Sequence, residues 1–467
     1  MSESIELAVV GAGPAGMAAA AQAAELGLPV ALADAFSLPG GQYYKQTPPA
    51  LGGTPTPDEY APALLAAVQG GGVRWLPGTS AWGLFPESGS QQDQADGSYL
   101  LCLYGPPGTP RRIKARTVIL APGAYDRPVP FPGWTLPGVM TAGAALTMVK
   151  HQHVLPGQRI LLSGTGPLQL VLARHLLEAG AELAAILDAN PFPWRGWRDA
   201  TAVWGQWARL REGWDSLRAM AQARAGIRWS HLVWRAEGDG RVERAVVGPS
   251  DGSSHEALAV DTICLGHGFT PAVQLSRLAG CEHRYDTDQR AYIPVRDQWL
   301  QTTRPGLFVA GDGAGIGGKD VARLEGALAA LGAARTLGRA VAPERVASLQ
   351  QALDRQRRFA GVLTDLFPLS AHLADLLTDD TLLCRCEEIT VGQVRQAIAD
   401  GATTVSAVRM VTRAGMGRCQ GRMCASSVAE LLARELGQPV EAVGQATPRP
   451  PIVPVPLEGL IDEEEGA

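Results

Sequence analysis

Apolar runs that end in glycine turns set the pattern of this chain. Residues 5–34, IELAVVGAGPAGMAAAAQAAELGLPVALAD, pass from a short apolar run into GAGPAG, then through an alanine-rich stretch to a second apolar run ending at Asp34. Such runs predict buried strands of a parallel sheet, and the alanine-rich stretch between them predicts a covering helix. VILAPG at 118–123 predicts a strand closed by a Pro-Gly turn, and PFPGWTLPGV at 130–139 a rigid connector. RILLSGTGPLQLVLARHLLEAGAELAAILD at 159–188 repeats the opening design and ends at Asp188. LFVAGD at 307–312 is a further short strand, followed by GAGIGG and a helical run from Val321 to about Leu337. Near the end, 391–399 and 427–435 have helical periodicity. Strands alternating with helices predict an α/β fold with a small helical module behind it.

Each glycine of the first turn has a physical reason. Gly11 makes the tight turn, Gly13 lets backbone approach a pyrophosphate, and Gly16 lets helix and strand pack closely. Pro14 and Ala15 open the helix, whose unpaired N–H groups and positive dipole end then face the phosphates. Asp34, eighteen residues past Gly16, ends the second strand, where a carboxylate accepts ribose hydroxyls. In the repeat, Gly164 and Gly166 occupy the turn, but Gln169 replaces the third glycine, so closer helix packing is expected to be lost. An occupied second nucleotide site and a retained fold with an empty site both remain open. Gly311 and Asp312 close a strand before a helix N-terminus, which places the carboxylate to take a ribityl hydroxyl; read alone, this is a plain strand turn.

Composition narrows the class. The 55 glycines and 34 prolines among 467 residues exceed average usage of about 7% and 5%. They concentrate in the glycine turns, the connector and the tail, so low complexity is confined to the tail. A net charge of −5 with no basic block speaks against nucleic acid as a partner. No run reaches the roughly 18 apolar residues of a membrane span, and MSESIE has no basic leader region. The expectation is a cytoplasmic protein without a membrane span.

Of seven cysteines, Cys102, Cys264 and Cys281 are scattered, while Cys384 and Cys386 form CxC and Cys419 and Cys424 form CxxxxC within AGMGRCQGRMC. In a reducing compartment a gathered set reads as metal binding before disulfide. Four thiolates satisfy a 2Fe-2S cluster, and Gly415, Gly417 and Gly421 leave backbone N–H groups free to approach its sulfurs. Zinc is the competing metal, but CxC is a poorer tetrahedral chelate than its usual CxxC knuckles; free thiols are the third reading. With Arg418 and Arg422, this spacing resembles the bacterioferritin-associated-ferredoxin-like 2Fe-2S domain.

Together, the glycine turns resemble the two-part FAD site of the two-dinucleotide-binding-domain flavoproteins, the glutathione-reductase-like class, with a second nucleotide domain inserted between the FAD segments. The disulfide reductases of that class carry a close cysteine pair beside the flavin; here none occurs before Cys384. Such a flavoprotein fused to a 2Fe-2S module resembles the α subunit family of heteromeric FAD-dependent amino-acid and amine dehydrogenases, which includes proline and hydroxyproline dehydrogenases, opine oxidases and hydrogen cyanide synthase. The carriers are GAGPAG, GGQYY with Gly41 and Gln42, PFPGWTLPGVMTAGA, ICLGHGFTP, GDGAGIGG, the four cysteines and the tail RPPIVPVPLEGL. The resemblance implies oxidation of an amine on the FAD of a separate β subunit, with electrons relayed through this chain's flavin and cluster. It also implies an FMN at a subunit interface as in some relatives, NAD or ATP at the second nucleotide site, a small ferredoxin-like γ subunit, and a downstream acceptor. A self-contained NAD(P)H-dependent flavin reductase is the alternative enzyme, and a scaffold with a vestigial nucleotide fold the non-enzymatic one.

The expected division is 1–130 and 296–345 for the two parts of the FAD domain, 131–295 for the insert, 346–380 for a helical linker, 381–440 for the cluster and 441–467 for the tail. Trp194, Trp197, Trp204, Trp207 and Trp214 form a stripe on one expected helix, to be covered by this chain's core or by another subunit. The tail reads as a disordered end or a strap across a neighbour. His267 reads as structural, and Lys319 as a solvated lysine or a contact to flavin or phosphate.

Overall fold

The computed structural model describes residues 3–53, 58–87, 98–193 and 203–460. The opening run forms β1 (Glu3–Val10), α1 (Pro14–Glu25) and β2 (Val30–Ala33), followed by β3 (Arg74–Leu76), β4 (Ser80–Pro86), β5 (Tyr99–Tyr104) and β6 (Arg112–Leu120). They build a sheet of order β3-β2-β1-β6-β5-β4, to which the distant strand Leu307–Val309 adds beside β6. Strands β1, β2, β3, β6 and Leu307–Val309 run parallel, while β5 pairs antiparallel with both β6 and β4. The apolar runs are buried because helices cover this sheet.

A second sheet comprises β7 (Val139–Thr141), β8 (Arg159–Gly164), β9 (Glu182–Asp188), β10 (Ile227–Trp229) and β11 (Thr262–Gly266), in the order β10-β9-β8-β11-β7. All its pairings are parallel. Its glycine turn leads into α2 (Pro167–Glu178), and α3 (Trp207–Gln222) packs nearby. Gln169 is buried beside β11: a side chain on Gly266 would touch it at 3.4 Å, and Gly164 and Gly266 pair across the two strands so closely that a Cβ on Gly164 would lie 2.1 Å from the Gly266 carbonyl. An antiparallel pair, Ala124–Asp126 with Phe269–Pro271, joins the two domains.

After Leu307–Val309, α4 (Lys319–Thr336) crosses α1 so tightly that a Cβ on Gly326 would stand 1.9 Å from the Ala15 carbonyl. Alanines on both helices make that approach possible. Helix α5 (Pro343–Leu366) adds Val346, Leu349 and Leu353 to the same core. The C-terminal module is a small hairpin, Leu382–Cys384 with Ile389–Thr390, then α6 (Val391–Ala399), α7 (Val405–Thr412) and α8 (Ala425–Leu436) around a core of its own. Thr390 and Gln393 form a capping box that starts α6.

Two expectations are corrected. The tryptophan stripe does not lie on one helix: Trp194 and Trp197 fall outside the described residues, and Trp204 is parted from α3 by Gly205, whose φ of +87° breaks the run. Nor does this chain's core cover it, since Trp204, Trp207 and Trp214 are 75%, 63% and 69% exposed. The tail is no free end as far as Leu460: it packs on its own chain, and its acidic end, 461–467, lies outside the described residues. Ile452 N–H donates to the Trp82 carbonyl at 3.0 Å, its side chain is buried in the first sheet's core, and Arg111 donates to the Glu458 carbonyl at 2.6 Å.

Candidate functional site

At the first glycine turn the three glycines have different neighbours. Gly11 has a φ of +99° and a Cβ there would lie 2.2 Å from the Ala121 carbonyl; at Gly16 it would lie 1.7 Å from the Gly11 carbonyl. Both are required by the protein's own packing. Gly13 differs: it is the N-cap of α1, Pro14 follows at the first helical position, and a Cβ would meet only the Gly41 Cα, at 3.9 Å. A Cβ on Gly41 would in turn stand 2.7 Å from the Gly13 Cα. The helix N-terminus is therefore bordered by two bare glycine backbones, the arrangement a pyrophosphate needs. Gln42 is exposed beside them.

Asp34 Oδ2 accepts from the Ala12 amide at 2.5 Å and Oδ1 from the Phe36 amide at 2.7 Å. It thus ties the turn to the end of β2. Burial raises its pKa against the opposing pull of these two amides. From the other FAD-like segment, Gly311 (φ +73°) packs on the Ala15 side chain, and Asp312 Oδ1 accepts from the amides of Gly317 and Gly318, both at 3.0 Å. The structure thus brings together Gly11, Gly13, Pro14, Ala15, Gly16, Gly41, Gly311 and Asp312, distant in sequence. The pyrophosphate and ribityl moieties of FAD fit this set.

One feature here escaped sequence reasoning, and two residues that the sequence singled out, Lys319 and His267, find their surroundings. Glu325, buried on α4, accepts from Arg296 at 2.8 Å, from Arg357 at 2.7 Å and from the Gly311 amide at 2.9 Å. Burial opposes its ionisation, but Arg296 and then Arg357 hold its pKa below the ordinary value. A lone acid in the run VARLEGALAALGAA was the available signal. Lys319 is not simply a solvated lysine: its partly exposed side chain pairs with the buried Asp58 carboxylate at 2.5 Å. His267 is buried with an unpartnered Nδ1, and burial followed by Arg127 lowers its pKa to about 4, which keeps the imidazole neutral.

The second glycine turn is arranged otherwise. Asp188, only 4% exposed, accepts from the Asn190 amide at 2.9 Å, and burial pushes its pKa up to about 6. Asn190 Nδ2 donates to Thr165 Oγ1 at 2.9 Å and to the Pro368 carbonyl at 2.8 Å. Phe367 comes to the open side of Gly166, where its Cβ would be 3.9 Å from an added Cβ. The linker after α5 thus lies against the turn that holds Gly164 and Gly166.

All four clustered cysteines meet at one place. Sγ of Cys386 lies 3.9 Å from that of Cys384 and 3.7 Å from that of Cys419. Cys424 hydrogen-bonds Cys384, and this bond, with the amides of Gly415 and Glu387, draws the Cys384 thiol down to about 5. The Gly415 amide reaches Cys384 Sγ at 3.4 Å, and a Cβ on Gly417 would crowd Cys386 Sγ at 2.5 Å. These glycines let the backbone close on sulfur, so the donor set fits an iron–sulfur cluster. Cys384 and Cys424 are buried, whereas Cys386 and Cys419 are partly open. In the same loop, Arg422 donates to Tyr125 Oη at 2.7 Å, to the Cys419 carbonyl at 3.2 Å and to the tail carbonyl of Ile452 at 2.8 Å. Among the described residues no helix is long and apolar enough to cross a membrane.

Comparison with known proteins agrees with both halves of this geometry. The family model of pyridine nucleotide-disulphide oxidoreductases matches residues 5–336, and that of the BFD-like [2Fe-2S] binding domain matches residues 382–434. An opine oxidase subunit of Agrobacterium tumefaciens (strain Ach5) is 35% identical, over 98% of this chain and 92% of its own length. Hydrogen cyanide synthase subunit HcnB of Pseudomonas aeruginosa is 32% identical, over 96% of this chain and 97% of its own. The crystal structure of L-proline dehydrogenase from P. horikoshii shares the fold, with a TM-score of 0.72 at 20% identity, covering 99% of this chain and 81% of that one. Thioredoxin reductase of T. acidophilum matches at a TM-score of 0.53 and 18% identity, covering 72% of this chain and all of its own. The reductase-like fold thus accounts for the two sheets and leaves the cysteine module as the addition, and FAD binding goes with the first part as the 2Fe-2S cluster goes with the second. This chain belongs to the pyridine nucleotide-disulphide oxidoreductase family, as an FAD- and 2Fe-2S-binding oxidoreductase in the group of the opine oxidase and hydrogen cyanide synthase subunits.

Proposed function

We propose that the chain is the electron-relaying subunit of a heteromeric amino-acid or secondary-amine dehydrogenase, in which the flavin of a partner chain oxidises a proline-, hydroxyproline-, opine- or glycine-type substrate. One observation carries the reading. Arg422 of the cluster loop is hydrogen-bonded to Tyr125, two residues beyond the Ala121–Gly123 turn against which Gly11 packs. A single side chain therefore joins the loop of Cys419 and Cys424 to the strand leaving the flavin-type turn. When bound, FAD supplies two-electron chemistry and the cluster one-electron chemistry, which makes a converter between an amine and a one-electron acceptor. Gly11, Gly13, Pro14, Ala15, Gly16, Asp34, Gly41, Gln42, Gly311 and Asp312 hold the FAD, and Cys384, Cys386, Cys419 and Cys424 ligate the cluster.

The absence of a close cysteine pair outside the module, among the described residues, speaks against disulfide reduction. The linker lies against the second turn, with the Pro368 carbonyl bonded to Asn190 and Phe367 beside Gly166, which favours the relay over the NAD(P)H reductase. The exposed stripe Trp207, Leu210, Trp214 and Leu217 recurs at helical spacing along α3 and supplies a face for the oxidising subunit.

Expression alone and with candidate partner subunits tests the proposal. The isolated chain should carry flavin and cluster spectra, oxidise no amine, and leave its flavin oxidised on rapid mixing with NADH. Full amine oxidation by the isolated chain, or rapid bleaching by NADH, refutes it.

A further inference from the structure

The cluster module carries an electrostatic feature that the relay itself does not use. Although the chain is net acidic, residues 401–429 contain Arg409, Arg413, Arg418 and Arg422 and no aspartate or glutamate. Arg422 is consumed by Tyr125 and two carbonyls, and Arg413 pairs with Glu387 at 2.9 Å. Arg409 and Arg418 are different. With Arg449 from the tail they line one hollow of about 520 Å³, together with Arg413, Met416 and Gln420. Among the described residues, no carboxylate lines that hollow, and the side chains of Arg409, Arg418 and Arg449 have no hydrogen-bond or ion-pair partner.

Two apolar side chains stand beside these arginines in the chain. Met410 and Val411, which follow Arg409 on α7, are 76% and 66% exposed and lie outside the lining of the hollow. Unpaired arginines alone would suit a small anion. An exposed apolar pair on the same helix adds apolar area next to the charged groups, the combination of a protein interface. The position adds a purpose. Arg418 immediately precedes Cys419, and Cys419 and Cys386 are the two cysteines that are partly open while the other pair is buried. Arg418 therefore brings a cationic group to the more open edge of the four-cysteine set.

Resting on the relay reading above, we propose that Met410 and Val411, with Arg409, Arg418 and Arg449, form the docking face for a protein with an acidic contact surface that exchanges single electrons with the cluster through the Cys386–Cys419 edge. The partner is identified by charge complementarity. A cationic rim steers an acidic surface into contact, speeds association and makes it salt-dependent, while it repels a basic carrier.

The test uses the full chain and two one-electron proteins of opposite charge, acidic plastocyanin and basic cytochrome c. Binding of copper(I) plastocyanin, which cannot accept an electron, is measured by calorimetry. It should weaken about tenfold when salt rises from about 20 to about 200 mM, and about tenfold or more in Arg409→Glu/Arg418→Glu. Met410→Ser/Val411→Ser should weaken it without altering the salt dependence. In stopped flow, one electron passes from the dithionite-reduced cluster to copper(II), giving copper(I) with no proton or group transferred. That rate should exceed the rate with ferricytochrome c, and the charge-reversed variant should invert the order. Retention of the visible cluster spectrum shows that each variant is folded.

Equal binding of both carriers, or unchanged binding in the arginine variant, overturns the proposal. So does a tenfold or greater rise in plastocyanin affinity on removal of residues 461–467, which would assign the hollow to this chain's own acidic end. Tight, salt-sensitive plastocyanin binding with no electron transfer would instead leave the docking face standing and overturn the relay.

Discussion

Replacement of Gly13 by alanine should weaken FAD binding about ten- to a hundredfold while leaving the protein folded, and the structure gives the basis of both magnitudes. The residue has φ −76° and ψ −173°, which any amino acid adopts, and the added Cβ would make one ordinary contact, 3.9 Å from Gly41 Cα. Gly-to-Ala at a helix N-cap costs at most about 1 kcal/mol, so the apoprotein should unfold within that margin of wild type. The methyl group projects into the space a pyrophosphate would need beside the α1 N-terminus. Loss of one charge-assisted N–H···O bond costs about 1.5–3 kcal/mol, which corresponds to roughly ten- to a hundredfold in FAD affinity. Gly16→Ala is the contrast. Its Cβ would lie 1.7 Å from the Gly11 carbonyl, so backbone must move, and the cost of about 1–3 kcal/mol or more falls on the fold itself. The assay is flavin absorbance of the purified protein, a fluorescence titration of apoprotein with FAD, and urea unfolding of the apo form. Full occupancy and wild-type affinity in Gly13→Ala would refute the placement of the pyrophosphate.

Glu325→Gln should destabilise the flavin domain by about 3–5 kcal/mol, because it leaves Arg296 buried without its counter-charge; half-exposed Arg357 adds little. Since the Glu325 carboxyl is lowered from 4.5, its stabilisation is complete above that pH and lost as pH falls through the folded pKa, so acid release of flavin should begin at higher pH in the variant. Cys419→Ser should remove the cluster's visible bands and iron while FAD is retained, because the module has its own core; unchanged iron would reject the ligand assignment. Arg422→Ala should keep both cofactors yet raise amide exchange around Tyr125 and Ile452 about tenfold or more, from loss of charge-assisted bonds of about 1.5–3 kcal/mol each. Unchanged protection there would show that Arg422 is not the clamp.

What the sequence disclosed was local, and what it withheld was long-range. GAGPAG, its imperfect repeat and the CxC and CxxxxC spacings state their geometry within a few residues, because turn conformation and chelate bite are fixed by near neighbours. The partners of Glu325 lie 29 and 32 residues away in the chain, and Tyr125 lies 297 residues from Arg422. Periodicity cannot choose among the 41 basic residues available for such roles. The tryptophan stripe was misread for a related reason: a 100° period extended through Gly205 assumes a helix that a left-handed glycine interrupts. The surroundings of Gln169 were out of reach for the same reason, since the Gly266 backbone beside its side chain belongs to a strand far along the chain.

These long-range contacts also decide how the cluster module is held. It follows α5, whose first half is buried in the flavin-type core, and it precedes a tail whose Ile452 is buried in the other core beside the same sheet. Trp134 Nε1 donates to the Leu382 carbonyl at 2.6 Å, which anchors the module's first strand to the connector between the two nucleotide domains. With both ends of the module tied down and Arg422 bridging its loop to Tyr125, motion of the module as a body requires breaking buried contacts at three separate places. A swinging carrier would instead have a solvated linker and a polar, weakly packed interface. On the relay proposed above, the arrangement favours electron transfer at a fixed separation. It also explains why the proline-rich tail is present: extended and stiff, it spans from the cluster loop to Tyr104 and Arg111 on the first domain without a core of its own.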